Sequence, residues 1–274
     1  MKLIESSVQI IEEKDPYKMI ELAGRTCYKS EDKITENSAK EFVNRMIKLG
    51  HGAMLEHGTI YLKIDKTEDG HLPPARLYWS DGNHKKYTRV RKHGNSIYVT
   101  TNLRVIVEND RLDDLQYQVE PTEHHEKRIT VKFICDRGVS HEFVRHRVFS
   151  FAQESTRYCN YSKDKFGNEL TFIKPSWGYF KNISYKDAGY FDGDVFESSL
   201  KKAESCYFKL IEKGWKPQQA RQLLPNATKT ELVMTGFESD WEGFFKLRCS
   251  GAAHPDAQKL ANELKELLTN VKNN

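Results

Sequence analysis

The chain has 274 residues, with 43 Lys and Arg against 39 Asp and Glu for a formal net charge of +4, and 38% of its residues are hydrophobic. That apolar mass supplies a sizeable core and excludes disorder throughout the chain. A net charge of +4 is too small to argue by itself for a nucleic-acid surface, and five cysteines without a C-x-x-C pair argue against a disulfide framework or a thiolate zinc site.

No apolar run approaches the ~18 residues of a membrane-spanning helix. The opening MKLIESSVQIIEEKD places acidic residues where a signal peptide needs an apolar block, which predicts a cytoplasmic protein, in the host cytoplasm if the source is viral.

Asp15-Pro16 sets a cap before a proline at the first helical position and predicts a helix over 16–25. Ser38-Ala-Lys-Glu41 has the capping-box form, followed by Phe42, Met46, Ile47 and Leu49 and a stop at Gly50. The β-branched and aromatic run 59–64 predicts a strand, and a polar excursion near 66–95 follows it. Runs 96–100 and 103–107 read as strands around a Thr101-Asn102 turn. Ile129, Val131, Phe133 and Cys135 alternate along a further strand, 128–135. That strand leads into an arginine-rich segment.

Beyond it, 170–173 reads as a short strand and 178–193 as a loop. A helix over 199–214 buries Leu200, Ala203, Tyr207, Leu210 and Ile211 and is closed by Gly214. Pro217 opens a shorter helix to Leu224, 230–236 reads as a strand, and Ser239-Asp-Trp-Glu242 is a second capping box before a helix through Arg248. A last helix runs from Pro255 to about Val271. No repeat or Pro/Ser-rich linker divides the chain, so a single α/β domain over 1–274 is expected.

The chemistry concentrates in 145–158, which holds Arg145, His146, Arg147, Ser155 and Arg157. Three successive residues at a helix end, ~100° apart, cannot all face water, so at least one of Arg145, His146 and Arg147 should point inward. Guanidinium forks suit phosphate because each can bind two oxygens together. Ser155 and Arg157, two apart, can project to the same anion from an extended chain. A solvated basic surface paired with Glu142 and Glu154 is the plainer alternative.

Arg145-His146-Arg147, seven residues and then Ser155 resemble the R-H-R-x7-S signature of the flavin-dependent thymidylate synthases. Gly50-His51 with Glu56-His57, Arg25-Thr26-Cys27, Ala220-Arg221 with Leu224-Pro225, and 245–248 with His254 and Ala257-Gln258 are similar to the family's other blocks in the same order. The resemblance implies a mixed α/β (α+β) fold around a mainly antiparallel sheet flanked by helices, not a Rossmann unit, assembled as a homotetramer with shared active sites. It also implies methylation of dUMP to dTMP, with methylenetetrahydrofolate as carbon donor, FAD carrying hydride and NADPH as reductant.

By the same resemblance, Glu142, Arg145, Gln153, Glu154, Ser155, Thr156, Arg157, Arg221 and Arg248 are expected at dUMP. His51, Ala53, Glu56, Arg145, His146, Arg147, Gln153 and His254 are expected at FAD, with Arg248 catalytic through polarisation of the uracil ring. The family usually carries Asn-Glu where this chain has Ala152-Gln153, which exchanges an acceptor-only carboxylate for an amide. The spacing of His51, Glu56 and His57 matches no zinc motif, and no metal is expected. Two alternatives remain: a nucleic-acid-binding module on the basic region Lys85–Lys92 with Tyr78, Trp79 and Tyr87 stacking on bases, and a relative that binds flavin or nucleotide without catalysis.

Overall fold

The computed structural model describes residues 1–68, 70–72, 79, 87–177 and 192–273. Its centre is a four-stranded antiparallel sheet in the order β2 (Ser7–Ile11), β6 (Arg128–Asp136), β9 (Lys229–Phe237) and β7 (Ser150–Gln153). Alternation along β6 sends Val131, Phe133 and Cys135 to one face. There they meet α5 (Arg137–Phe143) through Val139 and Phe143, α8 (Glu238–Arg248) through Trp241 and Phe244, and α9 (Pro255–Asn273) through Leu260 and Leu264.

Ala152 and Val233 join a second core with α1 (Pro16–Tyr28), α2 (Ser38–Lys48), α3 (Gly52–Leu55) and α4 (Leu103–Glu108). A three-stranded sheet of β3 (Thr59–Asp65), β5 (Ser96–Asn102) and β4 (Arg89–His93) closes this side, with Ile60, Leu62, Ile97 and Val99 turned into the core. Each fully buried aliphatic side chain of this kind contributes roughly 1.5–3 kcal/mol. A third cluster forms where α6 (Asp192–Glu212) and α7 (Pro217–Ala220) pack on the parallel pair β1 (Lys2–Ile4) and β8 (Thr171–Ile173); Leu200 and Tyr207 of α6 are buried in it. The architecture is the expected mixed one, mainly antiparallel and flanked by helices.

Two glycines set close approaches. A Cβ at Gly24 would stand 2.5 Å from the Phe42 ring, and one at Gly236 would stand 2.4 Å from the Phe149 ring. The first lets α1 and α2 touch, and the second lets Phe149 lie flat on β9.

Several local expectations change. The run 103–107 is helix α4, not strand, because the Asn102 side chain accepts from the Val105 amide at 3.1 Å and caps a helix there. Ser38 is no cap: its hydroxyl donates to Glu21 at 2.8 Å and accepts from the Thr35 amide. At α8 the backward contact to Phe237 N comes from Asp240, while the Ser239 hydroxyl donates to Glu126 at 2.5 Å. The expected loop 178–193 and excursion 66–95 lie partly outside the described residues; the described part of the excursion contains β4.

Candidate active site

Arg248 ends α8 on the face that carries the buried Trp241 and Phe244, seven and four residues before it. Its guanidinium is gripped from α5 and the turn after it. Nε donates to His146 Nε2 at 2.9 Å, Nη2 donates to the Glu142 carbonyl at 2.6 Å, and Nη1 pairs with the Glu142 carboxylate. An imidazole that accepts at Nε2 is neutral with its proton on Nδ1. Burial and the neighbouring guanidinium both disfavour protonation and lower the His146 pKa to about 4. The ring leans on Phe244, 5.0 Å between centroids.

His146 is therefore the inward member of the Arg145–Arg147 trio. Arg145 and Arg147 are exposed, and neither guanidinium has a partner among the described residues.

From β7 onward the chain alternates. Ala152, Glu154 and Thr156 are buried, whereas Gln153 and Ser155 are half-buried and Arg157 is exposed. Gln153 donates its amide to Ser140 Oγ at 2.8 Å and Thr230 Oγ1 at 3.2 Å, which ties β7 to α5 two residues from Glu142. Glu154 accepts from Tyr161 at 3.0 Å and Lys229 at 2.9 Å. Lys229 also reaches Glu231, which pairs with Lys29 and Lys132. Burial alone would raise the Glu231 pKa, but Lys229, Lys132 and Lys29 hold it well below the usual carboxylate range. Glu154 and Thr156, two of the residues expected at the nucleotide, thus sit inside the fold.

Arg157 Nε donates to Gln218 Oε1 at 3.2 Å, bringing Ser155 and Arg157 to α7, one turn before the exposed Arg221. Its guanidinium lies 5.3 Å from the Tyr158 ring, Tyr158 is 5.5 Å from Tyr28, and the Tyr28 hydroxyl is 3.3 Å from His51 Nδ1. Two tyrosines that the sequence reading did not assign to the site thereby connect a nucleotide-side residue with a flavin-side one. No sequence signal separates such a row from ordinary surface aromatics.

Ala53 and His51 are exposed at α3, and Glu56 pairs with Arg104 at 2.6 Å. His57 is buried, 2.8 Å from Thr235 Oγ1, and burial first and Arg128 second lower its pKa to about 3. Arg25 is also internal, paired with Glu21 at 2.8 Å and 4.9 Å from the Phe42 ring. His254 stands apart from α3. It packs edge-on against Trp177 at 5.3 Å and lines a cleft with Asp136, Asp256 and Glu142, the residue that grips Arg248. No hydrogen bond, ion pair or ring contact joins the His51–Glu56 group to the Arg248 group among the described residues. No group of three or more His, Cys, Asp or Glu suited to a metal occurs among the described residues. No helix among them is long and apolar enough to cross a membrane.

The crystal structure of a UMP/dUMP methylase, PolB, from Streptomyces cacaoi bound with 5-Br dUMP aligns with a TM-score of 0.44 and 15% identity, covering 98% of this chain and 93% of that one. A flavin-dependent thymidylate synthase of Geobacter sulfurreducens is 31% identical over 135 residues, 49% of this chain and 53% of the relative. One from Saccharolobus solfataricus is 30% identical over 49% of this chain and 46% of its own length. The match thus spans about half the length of these relatives. A Corynebacterium aurimucosum synthase aligns more broadly, 25% identical over 260 residues, 91% of this chain and 74% of the relative. The family model described as thymidylate synthase complementing protein matches residues 9–69 and 114–272, leaving 70–113 uncovered. With the match extending over most of its length, the chain belongs to the thymidylate synthase complementing protein family.

Proposed function

We propose that the protein methylates dUMP at C5 to give dTMP, taking the carbon from methylenetetrahydrofolate, with FAD as hydride carrier and NADPH as reductant. The observation that carries this reading is the held guanidinium of Arg248. Three of its five N–H groups are fixed by Glu142 and His146, which leaves two donors in a set orientation. Donors fixed in advance stabilise charge developing on a ring carbonyl or nitrogen without reorganising during the reaction. Arg248 therefore polarises the pyrimidine, and Glu142 and His146 keep it aligned.

Arg157, held at Gln218 of α7, and Arg221, just after that helix, bind the nucleotide phosphate, and Ser155 adds a hydroxyl to the same anion. Arg145 and Arg147, exposed and without partners among the described residues, fit a dinucleotide pyrophosphate, and His51 and Ala53 form the second wall of that site. The bound flavin supplies hydride chemistry. His51–Glu56 and Arg248 lie in groups that share no hydrogen bond, ion pair or ring contact among the described residues, and a homotetramer with shared sites would bring such groups together between subunits. Glu142, Gln153 and His254 then border the nucleotide and flavin from the α5 side.

The test is a visible absorption spectrum of purified protein with FAD, followed by anaerobic NADPH with and without dUMP. A bound-flavin spectrum bleached by NADPH at a rate that dUMP changes supports the reading, and absence of flavin uptake removes it.

A further inference from the structure

The family match stops at residue 69 and resumes at 114, yet α4, in the uncovered stretch, reaches Glu56 beside the loop that carries His51 and Ala53. Asn102 caps α4 and sets Arg104 on its first turn. Arg104 Nη1 donates to Glu56 Oε1 at 2.6 Å, and Nε donates to Glu108 Oε1 at 2.7 Å. The passage across α3 is open because residue 52 is glycine: a Cβ there would stand 2.9 Å from Arg104 Nε and 3.2 Å from Glu108 Oε1. From the opposite side Arg128 Nη1 donates to the Glu56 carbonyl at 2.9 Å.

Glu56 is thus held by its carboxylate from the segment outside the family match and by its carbonyl from the family core. Its side chain retains 18% exposure, next to a loop proposed to take a pyrophosphate-bearing ligand. An unpaired carboxylate in that place repels such an anion.

We propose that Arg104 is a positioning residue for dinucleotide binding: its charge pairs with Glu56 and fixes the α3 loop, so that α4 supports the anion site. This rests on the proposed flavin function. It assigns Arg104 no contact with the ligand, since its bonds to Glu56 and Glu108 already place it between two carboxylates.

The experiment measures FAD affinity by fluorescence titration, together with thermal stability, for wild type, Arg104→Gln, Arg104→Lys and Glu108→Gln. Arg104→Gln is expected to weaken FAD about tenfold, equivalent to ~1.4 kcal/mol, with Tm close to wild type. Arg104→Lys is expected to keep most of the affinity, because it retains the charge that pairs with Glu56. Glu108→Gln, which leaves the Glu56 pair intact, is expected to bind like wild type. Wild-type affinity in Arg104→Gln overturns the inference and leaves the flavin reading standing, whereas a wild-type protein that takes up no FAD overturns both. Equal losses in Arg104→Gln and Arg104→Lys overturn charge compensation and make Arg104 a structural residue.

Discussion

Two charge clusters a few residues apart in sequence have opposite fates. Glu154 and Glu231 are engaged by Lys229, Lys29 and Lys132 within the fold, with Glu154 only 3% and Glu231 only 6% exposed. Arg145, Arg147 and Arg221 stand outside with no side-chain partner among the described residues. In the first cluster each charge is answered by the chain itself, so it holds β7 and β9 in place. In the second the positive charge exceeds what the chain answers, which is the condition for attracting an anion. Arg248 lies between these extremes, part-buried and partly satisfied.

The sharpest break of this contrast is Arg248→Ala. It is expected to lower dTMP formation by about 10²-fold or more, the scale for removing a fixed donor at developing charge, while FAD remains bound; radiolabel turnover and flavin absorbance read the two effects separately. Full turnover would return Arg248 to a structural role.

Next, Glu231→Gln should cost about 1–3 kcal/mol in urea unfolding, because it takes the counter-charge from the half-buried Lys132 and one of two from Lys29 and Lys229. A loss below ~1 kcal/mol would make the inner cluster no different from a surface pair.

Acid should separate the clusters as well. His146 and His57 are held neutral, with pKa values near 4 and 3 against about 6.5 in an unfolded chain. The unfolded state therefore binds more protons below about pH 6.5, and stability present above that pH falls as the pH drops toward 4. Glu231, depressed in the fold, adds a further loss below the ordinary carboxylate range. His146→Gln should flatten the pH 6.5–4 part of the Tm profile, and an unaltered slope would remove His146 from the linkage.

The smallest effect is expected for Arg157→Ala. It should weaken dUMP by about five- to tenfold, on the order of 1 kcal/mol for one charge-assisted hydrogen bond, with little change in stability by calorimetry. Unchanged dUMP affinity would place Arg157 with the solvated surface charges.

Much of the fold was legible because its elements carry strong periodicity: the 128–135 alternation and the α6 and α9 stripes appear nearly where expected. Runs 103–107 failed because Val105, Ile106 and Val107 favour strand by type, while a single cap at Asn102 decided the outcome. Ser38 and Ser239 have the right spacing for capping boxes, yet each spends its hydroxyl on a carboxylate from another part of the chain. Such tertiary competition leaves no local trace.

Within the candidate site, the arginine cluster was readable from residue type, whereas Arg248 was singled out only by the family resemblance. That Glu154 and Thr156 turn inward was not available, since the one large apolar residue of 150–157, Phe151, shares the phase of Gln153, Ser155 and Arg157. The grip of Glu142 and His146 on Arg248 was not either, because it joins residues more than a hundred positions apart.

The close approach at Gly236 reaches further than its own strand. Phe149 lies on that glycine and packs against Trp241 at 4.6 Å, while Trp241 and Phe244 fix the helix that ends in Arg248. A saturation-mutagenesis scan for thymidine prototrophy would return position 236 as intolerant to every replacement, in the same class as Arg248. The two intolerances differ in origin, one a missing methyl's worth of space and the other a missing charge. Only a scan that also measures soluble protein abundance would tell them apart.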